Sequence, residues 1–422
     1  MNKIWVVKTA EPLPCDEGAR LLRMGLVSQE LVKNNNNEII WWSSTFDHYR
    51  KNVRSNHDEY IEIKDNYHLK LIHLDISYNS NLSPKRLLQQ YYEGRKFLEL
   101  SEREEQPDII ICPMPTLEMA HFASIYAKKN DIPLVIDIRD LFPDMFIDFV
   151  PRKMRTFVKL GIIPYRIMLK KALRQATYLI ATSDYFLEWG LKYAKREKKV
   201  GDRVYYVSYP DNNIELCDED IDIWYKEYDL NEDDFICCFF GKFGYTVDLE
   251  CVMRAAKITS VEEPKIKFVI CGEGEKLSVY KDILGETGNV IFPGWVNRKQ
   301  ICSLGRISKV GLLAYKPGEN YEYSMPNKFC EYLALGLALL VEPKGMMLRY
   351  VDESKCGMHF STSEELADCI IKMYRDIHMV ETMKRNARKL YESKFCAENV
   401  YKQYAEHIEN ILIEEKRNSM KG

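Results

Sequence analysis

The chain has 422 residues and a formal net charge of −3, with 46% hydrophobic and 29% charged residues. That length is a prior of two or three domains with material for real cores, and the near-neutral charge excludes a general nucleic-acid binder, so any basic surface must be local. None of the twelve cysteines forms a CxxC pair, and Cys112, Cys237, Cys238 and Cys271 sit inside apolar runs, where free cysteine behaves as a small hydrophobe; a reduced cytosolic compartment is expected.

From the N-terminus, short apolar runs alternate with longer amphipathic segments, the pattern of parallel strands covered by helices. The first run, 4–7, is closed by Lys8 too early for a signal peptide, and no run approaches the length of a membrane span, so neither export nor crossing is expected. Further strands are expected at 39–42, 69–74, 108–112, 134–138, 178–181 and 204–207. The tract Asn34 to Asn37 reads as a turn between the first helix and the second strand.

Residues 208–234 are rich in acids and carry Pro210-Asp211-Asn212, which breaks periodicity and reads as a linker leading into a second domain. A second set of strands then begins at 235–240, 267–271, 290–292, 310–314, 338–341 and, more weakly, 357–360. The expectation is an α/β protein of two doubly wound, Rossmann-like domains facing each other across a cleft. The domains would span 1–208 and 209–396, with a last helix in 397–422 free to pack back on the first.

Ligands of open α/β sheets bind beyond the carboxyl ends of the strands. Gly241-Lys242-Phe243-Gly244 follows the strand ending at Phe240, with glycines for close backbone approach and Lys242 for a phosphate. Gly272-Glu273-Gly274-Glu275 is half of a dinucleotide fingerprint, and Gly294-Trp295-Val296 offers a backbone edge to a base. The densest signal is Ser324-Met-Pro-Asn-Lys-Phe-Cys-Glu-Tyr-Leu-Ala-Leu-Gly336. Pro326 suits the first helical position, Met325 is a poor cap, and a helix N-terminus carries about half a positive charge, so the first N–H groups suit an anion. Lys328 adds a full charge, with Glu331 on the same face. Phosphate on Lys328 and a diol on Glu331 describe a nucleoside diphosphate; the plainer alternative is a surface ion pair.

The order Phe-Gly-Lys-Phe-Gly (240–244), Phe-Val-Ile-Cys-Gly-Glu-Gly (268–274), Asn-Val-Ile-Phe-Pro-Gly-Trp-Val (289–296) and Met-Pro-Asn-Lys-Phe-Cys-Glu-Tyr-Leu-Ala-Leu-Gly (325–336) resembles family 4 of the retaining GT-B glycosyltransferases, closest to the branch that builds bacterial capsule and O-antigen sugars. The likeness is strong over 235–345 and looser in the N-terminal half. There Val135-Ile-Asp-Ile-Arg-Asp-Leu-Phe-Pro143 matches the segment that faces the reacting sugar, and Gly18-Ala-Arg20 the loop that closes over the donor phosphates.

The resemblance implies a nucleotide-sugar donor on the C-terminal domain, with Glu331 on the ribose and Lys242 and Lys328 on the diphosphate. Pro326, Asn327, Gly241, Gly244, Gly272, Gly274, Trp295 and Val296 would complete the donor surface. Gly18, Arg139 and Asp140 come from the N-terminal domain, which would bind a glycan or lipid-linked saccharide acceptor. The implied reaction is same-face substitution that needs positioning and charge stabilisation but no metal and no cofactor. Two positions depart from the family pattern: Tyr323 stands where many members have a glutamate, with Glu322 one place off, and Val247 where a second phosphate-binding lysine often lies. A nucleotide-sugar 2-epimerase and a non-catalytic GT-B-like partner subunit remain as alternatives.

Other residues carry blander readings beside functional ones. Arg139 and Asp140 are also a common way to anchor a loop after a buried strand. His121 reads as a packed helix residue rather than a general base. Asp218, Asp220 and Asp222 have DxD spacing but read as solvated acids of a linker. The segment from Arg152 to Arg174 has eight basic residues and no acidic one, interleaved with apolar positions and divided by Gly161 and Pro164. It reads equally as a helix pair covering the sheet and as a peripheral contact with the inner, anionic face of a membrane.

Overall fold

A computed structural model describes residues 1–419 apart from 81–82, 149, 212–213, 245, 275 and 286. Asn212 of the expected linker, Glu275 of the second glycine loop and the tail 420–422 lie outside the described residues. The chain divides into two compact units, Met1–Tyr206 with Asn399–Gly422, and Val207–Glu398.

The first unit holds an eight-stranded sheet of β1 (Asn2–Val7), β2 (Asn37–Ser44), β3 (Glu59–Lys64), β4 (Tyr67–Ile72), β5 (Ile109–Pro113), β6 (Leu134–Ile138), β7 (Tyr178–Ala181) and β8 (Arg203–Val204). Their order is β3-β4-β2-β1-β5-β6-β7-β8, parallel except for β3 against β4. Chain direction across the sheet reverses between β1 and β5, which places a topological switch point there. The apolar runs form strands because they are buried on both faces, as parallel sheets require. β3 has no such run: it is an edge strand whose residues alternate between half-buried and exposed, with Glu59, Glu62 and Lys64 keeping the free edge charged.

One face of this sheet is covered by the helices Pro84–Ser101, Leu117–Lys129, Ile163–Gln175 and Asp184–Ala194, packed side by side in that order. Beneath them Trp5 meets Trp42 edge-on at 5.3 Å and stacks on Tyr126 at 5.3 Å, while Trp42 meets Phe97 edge-on. These aromatic contacts hold β1 and β2 to the first two helices. The helix Ala397–Ser419 is tied to the same unit by the amides of Asn34 and Asn37, which both donate to Glu409 Oε1 at 2.8 Å. The asparagine tract is thus more than a turn, and Asn37 itself begins β2.

The second unit has six parallel strands, β9 (Phe235–Phe240), β10 (Ile266–Cys271), β11 (Val290–Gly294), β12 (Val310–Leu313), β13 (Ala338–Val341) and β14 (Gly357–His359), in the order β11-β10-β9-β12-β13-β14. The switch point lies between β9 and β12. Part of the expected linker folds into this unit: Asp218–Tyr228 is a helix whose Trp224 is fully buried and donates from Nε1 to Ser303 Oγ at 2.9 Å. Its acids act locally. Asp220 accepts from the Cys217 N–H and pairs with Lys299, and Asp222 pairs with Lys226 one turn on.

Candidate functional site

In the second unit the residues singled out from four separate motifs meet at the carboxyl ends of β9, β10 and β11. The Gly241 N–H donates to Cys271 O at 2.9 Å and the Gly272 N–H to Gly294 O at 2.7 Å, lacing the three strand ends together. Gly241 and Gly272 have φ of +143° and +135°, which side chains rarely adopt. A Cβ on Gly272 would stand 2.8 Å from the carbonyl carbon of Gly241, so glycine is required there for close approach as well. The loops 241–244 and 272–274 are joined by the Phe243 N–H donating to Glu273 O at 2.9 Å, and a Cβ on Gly274 would come 2.6 Å from Phe243 O.

Lys328 reaches this cluster from the helix Asn327–Ala334. Its Nζ is 3.4 Å from Tyr315 Oη and lies 5.0 Å from the Phe239 ring centre. A Cβ on Gly241 would stand 2.6 Å from that nitrogen, so the ammonium occupies the space that a side chain at 241 would need. Pro326 is the N-cap of this helix rather than its first residue, because its ψ of 153° is extended, and it supplies no side-chain acceptor. Asn327 opens the helix and is exposed, whereas Glu331 is only 4% exposed. The following residue, Tyr332, accepts from the Phe240 N–H at 3.1 Å, which fixes the helix against β9.

The remaining positions surround the cluster with less constraint. Lys242 is exposed and Gly244 half-buried. Trp295, just beyond Gly294, is 70% exposed, while Val296 is buried. Of the two departures, Val247 is buried and bridges to Tyr315, and Tyr323 ends the short helix Glu319–Glu322 with its side chain partly exposed. Tyr315 and Phe239 escape a reading of the sequence: one follows a strand and the other is inside one, and nothing in either run marks it as a neighbour of Lys328.

In the first unit, Arg139 and Asp140 follow β6, and Gly18 lies in the loop after β1 with φ +66°. Arg139 is committed to a buried ion network. Its Nε donates to Asp137 Oδ2 at 3.1 Å and its Nη1 pairs closely with Glu11. Asp137 also receives Arg23 Nε at 2.8 Å, and Arg23 continues to the carbonyls of Tyr205 and Tyr206 and lies over the Tyr404 ring. Burial would raise the Asp137 carboxyl, but the two guanidiniums hold it below its ordinary value. Beside this network Lys8 is buried with Nζ on Pro115 O at 2.7 Å; burial and the nearby Arg139 charge push its ammonium down to about 8. His121 is half-buried in the helix Leu117–Lys129, beside the Phe122 ring. Asp137 carries a signal that can be read in sequence, a lone charge inside the apolar run 134–138, but its partner Arg23 is 114 residues away.

Residues 220–390 match the family model of Glycosyl transferases group 1. No curated protein matches the chain in sequence. Among solved structures, the Anabaena HepE protein in complex with UDP-glucose is 16% identical, with TM-score 0.67 over 97% of this chain and 99% of that one. Sucrose-phosphate synthase of Thermosynechococcus elongatus is 13% identical, with TM-score 0.68 over 98% and 100%. An E. coli trehalose-6-phosphate structure bound with UDP-2-fluoro glucose is 13% identical, with TM-score 0.69 over 97% and 99%. The chain therefore has the GT-B fold, and its second unit carries the match to the group 1 glycosyl transferases.

Proposed function

We propose that this protein is a retaining glycosyltransferase that moves a hexose or modified hexose from a nucleoside-diphosphate sugar to a glycan acceptor. The observation that carries the reading is the junction of Lys328 with Gly241: an ammonium filling the side-chain space of a strand-end glycine, at the start of a helix whose cap offers no side-chain acceptor. That arrangement suits a diphosphate, which the helix N-terminus and the lysine charge both favour.

In this reading Lys328 and the exposed Lys242 neutralise the diphosphate, and Gly241, Gly244, Gly272 and Gly274 let it approach the backbone. Pro326 and Asn327 present the helix N-terminus, Glu331 takes the ribose diol, and Trp295 and Val296 border the base. In the first unit, Gly18, Arg139 and Asp140 are assigned to substrate contact. The reaction breaks the bond from the anomeric carbon to the diphosphate oxygen and forms the bond to the acceptor oxygen on the same face, the acceptor proton passing to the departing diphosphate. Catalysis is then positioning and stabilisation of leaving-group charge, and the scheme calls for no metal ion.

The HepE structures hold UDP, UDP with glucose, and UDP-glucose, which makes a UDP-sugar the first donor to try. The acceptor is proposed to be a lipid-linked saccharide of bacterial surface polysaccharide synthesis, met at the inner face of the cytoplasmic membrane. A partner subunit that binds nucleotide without turnover is the second reading, favoured by Val247 being buried and by Tyr323. UDP release from UDP-glucose and related donors, with and without saccharide acceptors, tests both. Acceptor-dependent release supports the transferase, acceptor-independent turnover the epimerase alternative, and binding without release the partner subunit.

A further inference from the structure

The helices that follow β4 and β6 leave a second feature unexplained by donor chemistry. The helix Arg155–Gly161 contains no buried residue, and together with Met154 and the start of Ile163–Gln175 it turns Met154, Phe157, Leu160, Ile163 and Ile167 outward, each 45 to 73% exposed. A second patch lies at the start of Pro84–Ser101, where Leu87, Leu88, Tyr91 and Tyr92 are 39 to 48% exposed. Leucine, phenylalanine and isoleucine at this exposure are costly in water, and clustered ones mark an interaction surface.

The two patches belong to one layer. Pro84–Ser101 packs on Leu117–Lys129 closely enough that a Cβ on Gly94 would come 3.0 Å from Glu118 O, and Tyr91 meets Phe122 edge-on at 5.5 Å. Leu117–Lys129 in turn packs on Ile163–Gln175. Both patches occupy the N-terminal turns of helices that follow parallel strands, so both sit towards the carboxyl ends of those strands, the end at which open α/β sheets bind ligands.

Charge selects the partner. Between Arg152 and Arg174 every charged residue is basic, and all but Arg166 are exposed. From Pro84 to Leu98 the only acid is Glu93, which is buried and accepts from Ser44 and Gln89; Arg86 is half-buried beside Glu118 and Lys96 pairs with Asp58, so the exposed charges of those turns are Lys85 and Arg95, both basic. Apolar residues flanked by lysine and arginine, with tyrosines at the border, match the interface of an anionic bilayer.

We infer that these two patches form one docking surface for an anionic lipid bilayer, with Phe157 and Leu160 entering the acyl boundary and the tyrosines of Pro84–Ser101 lying at headgroup level. The inference deepens the acceptor half of the proposed reaction, since it puts the first unit's ligand-binding end at a lipid surface, and it stands independently of the donor.

The test is sedimentation of the full-length protein with vesicles of phosphatidylcholine alone and of phosphatidylcholine with phosphatidylglycerol. Binding to the anionic vesicles alone, weakened by salt, is expected. Phe157→Ser with Leu160→Ser should cut it at least about tenfold, and Leu88→Ser with Tyr92→Ser should also reduce it. UDP binding measured on the same variants should be unchanged, which separates failure of the surface from failure of the donor reading. Absence of binding to anionic vesicles at low salt would overturn the inference. So would self-association of the lipid-free protein that the Phe157→Ser, Leu160→Ser pair abolishes, because the patch would then bind a second copy. Loss with the first pair but none with the second would reject the two-patch surface.

Discussion

Lys328 Nζ occupies the side-chain space of Gly241, 2.6 Å from where a Cβ at that position would stand. The two residues come from motifs 87 positions apart in the sequence (328 − 241) and meet because β9 and β12 are neighbours at the switch point of the second sheet.

Gly241→Ala therefore combines a φ of +143°, which a side chain resists, with displacement of the ammonium. The flexible lysine can move aside, so the chain should fold with a loss of about 1–3 kcal/mol from the backbone alone, while nucleotide affinity falls at least about tenfold. Urea unfolding and UDP calorimetry on the same preparation check the two effects. Unchanged affinity would remove the glycine loop from the site.

Asp137→Asn tests the ion network of the first unit. The variant leaves the Arg23 and Arg139 guanidiniums buried with half their counter-charge, and the expected loss is about 3–5 kcal/mol. Asp222→Asn, which breaks an exposed i, i+4 pair with Lys226 that water and salt screen, should leave the denaturation midpoint almost unmoved. Because the folded Asp137 carboxyl titrates below its ordinary value, its contribution is present above the unfolded value of 3.8 and is lost as pH falls below it. Equal denaturation midpoints for the two variants would contradict the network's role.

Glu118 gives a pH dependence of the opposite sign. It is 2% exposed, and burial pushes its carboxyl up to about 7; Arg86 of the neighbouring helix pulls it down and Glu93 pushes it up, while Tyr165 faces it from Ile163–Gln175. Between 4.5 and about 7 the folded state keeps a proton that the unfolded state releases, so stability should fall as pH rises through that window, by at most about 1.4 kcal/mol per unit. Glu118→Gln should remove that slope and leave the variant the more stable at pH above the window. Identical pH profiles of the unfolding midpoint for wild type and variant would contradict this.

Much of the architecture is legible in the sequence because parallel strands buried on both faces write themselves as apolar runs. β3 is not legible, since an edge strand with one wet face and charged residues lacks such a run. The helix Asp218–Tyr228 reads as linker for a related reason: Trp224 is its only buried residue, so it has no apolar stripe. Pro326 is misplaced by one residue because helix entry depends on ψ, which proline does not fix. The site's glycines, Lys328 and Glu331 stand out as strand-end and helix-start residues, whereas Tyr315 and Phe239 join it, and Arg23 joins the ion network of the first unit, through contacts that only the folded chain makes.

Trp224 offers a check on that unanticipated helix. Trp224→Ala should destabilise the second unit by about 3–5 kcal/mol, and Trp224→Phe should recover most of it, lacking only the bond to Ser303. A near-neutral alanine variant in urea unfolding would mean that 218–228 contributes no core.

The nucleotide site around Lys328 and Glu331 is tested by calorimetric titration of the protein with UDP, and with GDP, dTDP and CMP beside it, for wild type and for the Lys328→Ala, Glu331→Ala double variant. One nucleoside diphosphate is expected to bind the wild type, and the double variant to lose at least about 2.7 kcal/mol, a hundredfold, of that affinity. Binding that survives in the double variant, or no binding of any of them at millimolar concentration, would contradict the assignment of this cluster as a nucleotide-sugar site.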